Sequence, residues 1–128
     1  MVMASSSDIR SNTVVLDTNA LLMPFEFSLN IDSELRGLLG SCEILVPGSM
    51  LRELKRSSNK HAKAALELSK RYRIVETEKQ GDDGVLDVAV RFGATVVTND
   101  SELRKRLHEK KIRTIHLRSR SHLVLDEV

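Results

Sequence analysis

Apolar positions along this chain follow two rhythms. Short runs dominated by β-branched and aliphatic residues occur at 13–16 (Thr-Val-Val-Leu), 43–46, 74–75, 94–98 and 114–117. Between them, apolar residues recur at helical intervals over 32–39, 49–56, 60–71, 83–92 and 101–111. The first rhythm predicts buried strands and the second amphipathic helices. Local signals mark several boundaries. Pro47-Gly48-Ser49 halts the second strand and offers Ser49 as a cap, and Thr98-Asn99-Asp100-Ser101 does the same before the last helix. Gly40 and Gly93 stand where helices should stop. Met23-Pro24-Phe25-Glu26-Phe27 places apolar side chains just beyond the first strand, for a core or for a dimer contact.

Alternating strands and helices, with strands that are apolar on both faces, predict an α/β fold. Its sheet should be mostly parallel, doubly wound and about five-stranded, with right-handed crossovers. At 128 residues there is room for one core. The expected organisation is a polar, loosely ordered leader at 1–12, one domain at 13–118 and a C-terminal tail at 119–128.

Composition narrows the function. Aromatics are only 3%, so Leu, Val, Ile and Ala must build the core, and a single-strand binding face of stacked rings is disfavoured. Net charge is +2, too slight to identify a nucleic-acid binder, although the bases crowd the last third. The lone Cys42 suits a reducing compartment. No apolar run approaches a membrane span, so a cytoplasmic protein with no membrane partner is expected.

In doubly wound sheets ligands bind beyond the carboxyl ends of the strands, where strand order reverses. Asp17 directly follows the first strand, and Asp100 closes Val97-Thr98-Asn99-Asp100 after the fourth. Glu53 lies one turn inside the helix after the second strand, and Asp82 and Asp83 open the helix before the fourth. If the first and fourth strands are neighbours, these acids meet at one edge. Each alone has a plainer explanation: Asp83 and Asp100 as helix caps, Glu53 as half of an ion pair with Arg56, Asn19 as a turn residue. Together they would repel strongly unless a cation neutralised them. Oxygen donors suit Mg²⁺ or Mn²⁺, while His61, His108, His116 and His122 lack the paired spacing of a zinc site. A metal held by carboxylates can activate water against a phosphodiester. No Ser-His pair or phosphate-cradling glycine loop supports another scheme.

These residues, in this order, resemble the PIN domain family. The matching pieces are Val15-Leu16-Asp17-Thr18-Asn19, Leu45-Val46-Pro47 with Leu51-Arg52-Glu53-Leu54, Asp82-Asp83-Gly84-Val85-Leu86 with Ala89, and Val97-Thr98-Asn99-Asp100 followed by Glu102-Leu103-Arg104. Asn19-Ala20-Leu21-Leu22-Met23-Pro24-Phe25 is similar to an archaeal branch that includes VapC toxin ribonucleases and ribosomal-RNA processing nucleases. The resemblance implies a three-layer α/β/α fold and a metal-dependent endoribonuclease, often dimeric. It implies Asp17, Glu53, Asp83 and Asp100 as metal-binding acids, with Asn19 or Thr98 helping to orient them. The chain departs from the motif in carrying two adjacent acids where one is needed. Asp83 places Leu86 and Ala89 on the apolar positions, and Asp82 is the alternative ligand. Asp87, one turn on, is read as a solvated side chain, with a role in holding a metal-bound water as the other possibility.

Arg104 and Arg106, just after Asp100, are the leading candidates for holding substrate phosphates. RNA is the expected substrate, with a homodimer or a small antitoxin as possible protein partners. Two rivals remain. One is a PIN-like module that binds RNA or protein without cutting. The other is a receiver-type phosphoacceptor, which is weakened because Ile74-Val75 runs into Glu76-Thr77-Glu78 with no Asp.

Overall fold

Val14, Val15 and Leu16 are fully buried, as a strand flanked on both sides and covered on both faces must be. They belong to β1 (Thr13–Leu16), one of the two central strands in a computed structural model that describes residues 12–126. The leader expected at 1–12 lies outside the described residues except for Asn12, whose side-chain amide donates to the Leu39 carbonyl at 2.7 Å. After β1 come α1 (Thr18–Phe27), α2 (Ile31–Leu39), β2 (Glu43–Pro47), α3 (Gly48–Arg56), α4 (Ala62–Ser69) and β3 (Arg73–Val75). The chain continues through α5 (Gly81–Phe92), β4 (Thr95–Val97), α6 (Ser101–Glu109), β5 (Thr114–Arg118) and β6 (His122–Asp126).

The sheet order is β3-β2-β1-β4-β5-β6, parallel throughout except for the antiparallel β6. From β1 the chain winds outward to β3, then returns to the centre and winds outward to β6. Strand order therefore reverses between β1 and β4, which pair with Leu16 opposite Val97. The result is a three-layer α/β/α fold, as expected, with one strand more than predicted.

Two local expectations are corrected and one is resolved. Met23-Pro24-Phe25-Glu26-Phe27 forms the second half of helix α1, a helix the sequence pattern did not mark, and Met23 lies in the core. Pro24 forfeits one intrahelical hydrogen bond there, and burial of Ala20, Leu21 and Met23 in the core offsets it, at roughly 1.5–3 kcal/mol per large side chain. The tail expected at 119–128 contains β6, whose Leu123 is buried and whose backbone N–H there donates to the Glu34 carboxylate of α2 at 2.9 Å. Ser49 does not cap α3. Pro47 holds the cap position without a side-chain hydrogen bond, and Ser49 is buried inside the first turn. Gly40 and Gly93 do end their helices, both at positive φ.

Candidate active site

Helices that follow parallel strands begin at the carboxyl edge of the sheet, so α1, α3 and α6 all start there. Helix α5, which runs back from β3 to β4, starts there too. Their first turns surround the point of strand reversal. Asp17 sits immediately beyond β1, and its carboxylate caps α1 by accepting the Ala20 N–H at 2.7 Å. Its exposure is only 6%, and the Thr98 side chain is a second hydrogen-bond partner. Burial, reinforced by the negative charges of Asp82 and Asp100, raises the Asp17 carboxyl from its usual range to about 7. The two hydrogen bonds oppose that rise without cancelling it.

Thr98 ties the two strand ends together. Fully buried, it bonds Asp17 through its side chain, and its hydroxyl oxygen accepts the Asp100 N–H at 3.0 Å. Asp100 in turn caps α6, accepting from Glu102 N–H at 2.9 Å and Leu103 N–H at 3.1 Å. Capping and site-building thus coincide in Asp17 and Asp100 rather than competing. Asn19 works from the outside: its side-chain oxygen accepts the Asn99 N–H at 3.0 Å, while the Asn99 side chain accepts the Leu117 N–H at 2.8 Å. Both bonds order the turn that carries Asp100.

The adjacent acids of α5 face different ways. Asp82 is half-buried, and its carboxyl is raised by burial and by the charge of Asp100, against the pull of Arg106. Asp83 is exposed and paired with Arg106 of α6 at 2.7 Å, which holds its carboxyl below the ordinary range. Charge therefore couples Asp82, rather than Asp83, to Asp17 and Asp100. Asp83, favoured in sequence for its spacing to Leu86 and Ala89, is instead engaged by Arg106. Glu53 is half-buried, with the Thr18 hydroxyl at 3.5 Å from its carboxylate. Thr18 was read in sequence only as part of a motif and given no role, although its place between Asp17 and Asn19 was a signal.

The bases are already engaged. Arg106 holds Asp83 and exerts its charge on Asp82, so it stands beside the acids. Arg104 instead turns to β6, 3.6 Å from Asp126, which also binds His116 at 2.9 Å and Thr114 at 2.9 Å. Asp87 accepts the Thr77 hydroxyl at 2.7 Å and pairs with Arg91 at 3.2 Å, so it is engaged within its own surroundings.

Would these residues suit a divalent cation? Among the described residues no three His, Cys, Asp or Glu side chains form a ready-made cage. Mg²⁺ asks for less: it retains several waters and needs only one or two carboxylates. Asp17, Asp82 and Asp100 offer only oxygen, and their mutual repulsion is what a cation would relieve. The donor set fits.

Known proteins share this frame. The model of one protein family, described as PIN like domain, matches residues 14–120. Ribonuclease VapC9 of Archaeoglobus fulgidus is 30% identical over 113 residues, covering 80% of this chain and 83% of that protein. A solved structure, that of the PIN domain endonuclease Utp24, overlays with a TM-score of 0.80 across 94% of this chain and 96% of the other. Its identity is 17%, a likeness of fold.

Proposed function

This chain belongs to the PIN-like domain family, and on that footing we propose that it is a metal-dependent endoribonuclease acting at the junction of β1 and β4. Mg²⁺ or Mn²⁺ is held by Asp17, Asp82 and Asp100, with Glu53 completing the acidic wall and Asp83 outside the ligand set. The single observation that carries this is the placement of Asp17. Its carboxyl is buried just beyond β1, where strand order reverses, and is held by the Ala20 N–H and Thr98 with Asp82 and Asp100 acting on it, an arrangement poised for a cation. When bound, the metal supplies Lewis acidity toward a phosphodiester and lowers the pKa of an attacking water.

The protein's own residues do the positioning. Asp17 and Asp100 are locked by the first turns of α1 and α6, and Thr98 spans the two. Glu53 and Thr18 close the side toward α3. Arg106 stands at the rim, where releasing Asp83 would free its guanidinium for a substrate phosphate. The substrate is RNA, in one of two settings: a toxin paired with a small antitoxin, or ribosomal-RNA processing. Either setting is cytoplasmic and admits a homodimer. Among the described residues no helix is long and apolar enough to cross a membrane.

The test is cleavage of RNA by purified protein stripped of metal and resupplied with Mg²⁺ or Mn²⁺. Cleavage should appear only on resupply. Full activity in excess EDTA would defeat the metal mechanism, and RNA binding without cleavage under every metal would leave a binding module instead.

A further inference from the structure

The proposal below rests on the nuclease assignment and concerns what holds its acids apart. Helices α3 and α5 carry Glu53 and Asp82, and they meet through residues almost without side chains. Gly84 lies in the first turns of α5, where a Cβ would run into the Ser49 Oγ and stand 3.1 Å from the Lys79 carbonyl and 3.4 Å from the Ser49 Cβ. Its φ is not in the left-handed region, so glycine is needed there for room and not for conformation. One turn nearer the site, Gly81 (φ +53°) would place a Cβ 3.8 Å from the Glu53 carboxylate. Ser49 and Glu53 are four residues apart on α3, and Gly81 and Gly84 are three apart on α5, so each pair shares one helical face. The two contacts register the helices, with Asp82 between the two glycines.

Two unfavourable features meet at the inner contact. Glycine inside a helix is destabilising relative to alanine. The Ser49 hydroxyl is fully buried and has no hydrogen-bond partner among the described residues, which is also unfavourable. Alanine at either position would remove one penalty, but alanine at 84 would also force the helices apart. We propose that Gly84 is a positioning residue of the carboxylate site: the room it leaves beside Ser49 lets α5 seat closely on α3, which fixes the separation of Glu53 from Asp82 and with it the affinity for the divalent cation.

The experiment is a double-mutant comparison read by Mn²⁺ titration, following free Mn²⁺ by electron paramagnetic resonance well below the melting temperature, with RNA cleavage measured alongside. Gly84→Ala should bind Mn²⁺ at least about tenfold more weakly, the effect typical of disturbing groups that orient metal ligands. Ser49→Ala should bind as wild type. Ser49→Ala combined with Gly84→Ala should recover most of the lost affinity, because the atom that the new methyl strikes has gone. A merely structural seam would lower the melting temperature and leave the affinity of the folded protein unchanged. Folded Gly84→Ala with wild-type affinity, or a double variant no better than the single one, overturns the proposal. Should Gly84→Ala not fold, Ser49→Cys places a larger atom in the same contact and is judged by the same criterion. Wild-type protein that binds no Mn²⁺ at all would overturn the nuclease assignment, and this proposal with it.

Discussion

Asp83 and Arg106 face one another at 2.7 Å across the gap between α5 and α6, leaving Asp82 as the acid of this pair that acts electrostatically on Asp17. Two neighbours of identical chemistry are thereby separated into an ion-pair partner and a member of the acidic group. The consequence is a simple asymmetry. Asp82→Asn should reduce metal-dependent RNA cleavage by at least about a hundredfold. Asp83→Asn should keep cleavage close to wild type, since it removes only an exposed ion pair. The reverse order of activities in a single-turnover cleavage assay would return the ligand role to Asp83.

Asp17→Asn and Asp100→Asn preserve shape, and asparagine caps helices as well as aspartate does. Each should abolish cleavage while circular dichroism stays that of the wild type. Asp100→Ala differs, because it also removes the cap that accepts two N–H groups, at about 1 kcal/mol of stability. Wild-type cleavage by both asparagine variants would show that the site lies elsewhere.

The pH dependence of the metal-free protein follows from Asp17. Its carboxyl stands at about 7 in the fold against 3.8 ordinarily, so between those values the folded chain keeps a proton that the unfolded chain releases. Stability from this group therefore falls as pH rises through that window and levels off above it. The lowered carboxyls of Asp83, Asp87 and Asp126 act in the opposite sense, so the contribution must be isolated by difference. The melting temperature of Asp17→Asn minus that of wild type, measured in EDTA, should grow from pH 4 toward neutrality. A flat difference would mean that Asp17 is not held protonated by burial.

Arg106 and Arg104 should separate in RNA binding. Arg106→Ala should weaken binding and lower the salt slope by about one. Arg104 is committed to Asp126 and the β5–β6 hairpin, so Arg104→Ala should lower the melting temperature and leave the salt slope alone. Equal salt slopes for wild type and Arg106→Ala in filter binding would remove Arg106 from the substrate path.

Lys111 ends α6 in the left-handed region (φ 62°), where its N–H reaches the His108 carbonyl and the next N–H, of Ile112, reaches that of Leu107. This is the helix ending that glycine favours. Lys111→Gly should raise stability by about 1 kcal/mol, or roughly 4 °C in melting temperature, with cleavage unchanged.

Much of this architecture was legible because the central strands are uniformly apolar and the helices strongly periodic. Helix α1 was hidden by Pro24, a residue that reads as a helix breaker unless one knows how much of the opposite face is buried. Strand β6 was hidden by its turn: Ser119 and Arg120 both adopt positive φ, yet neither is the Asn or Gly that advertises a tight hairpin. In the site, Asp17 and Asp100 could be placed from strand ends alone. The different settings of Asp82 and Asp83 could not, since they depend on where α5 begins relative to the sheet and on Arg106, 23 residues from Asp83. Gly84 was read only as part of a motif, because its role lies in an absent side chain facing Ser49.

The cap bonds hold both carboxylates, while Thr98 bonds that of Asp17 and the backbone of Asp100, so the rotamer freedom of both carboxylates is surrendered when the chain folds. A cation arriving later finds ligands already ordered and need not freeze them. Binding should then be fast and limited by dehydration of the ion rather than by rearrangement of the protein. The corresponding penalty has moved to folding, so a divalent cation bound here would raise the melting temperature of the folded chain by mass action.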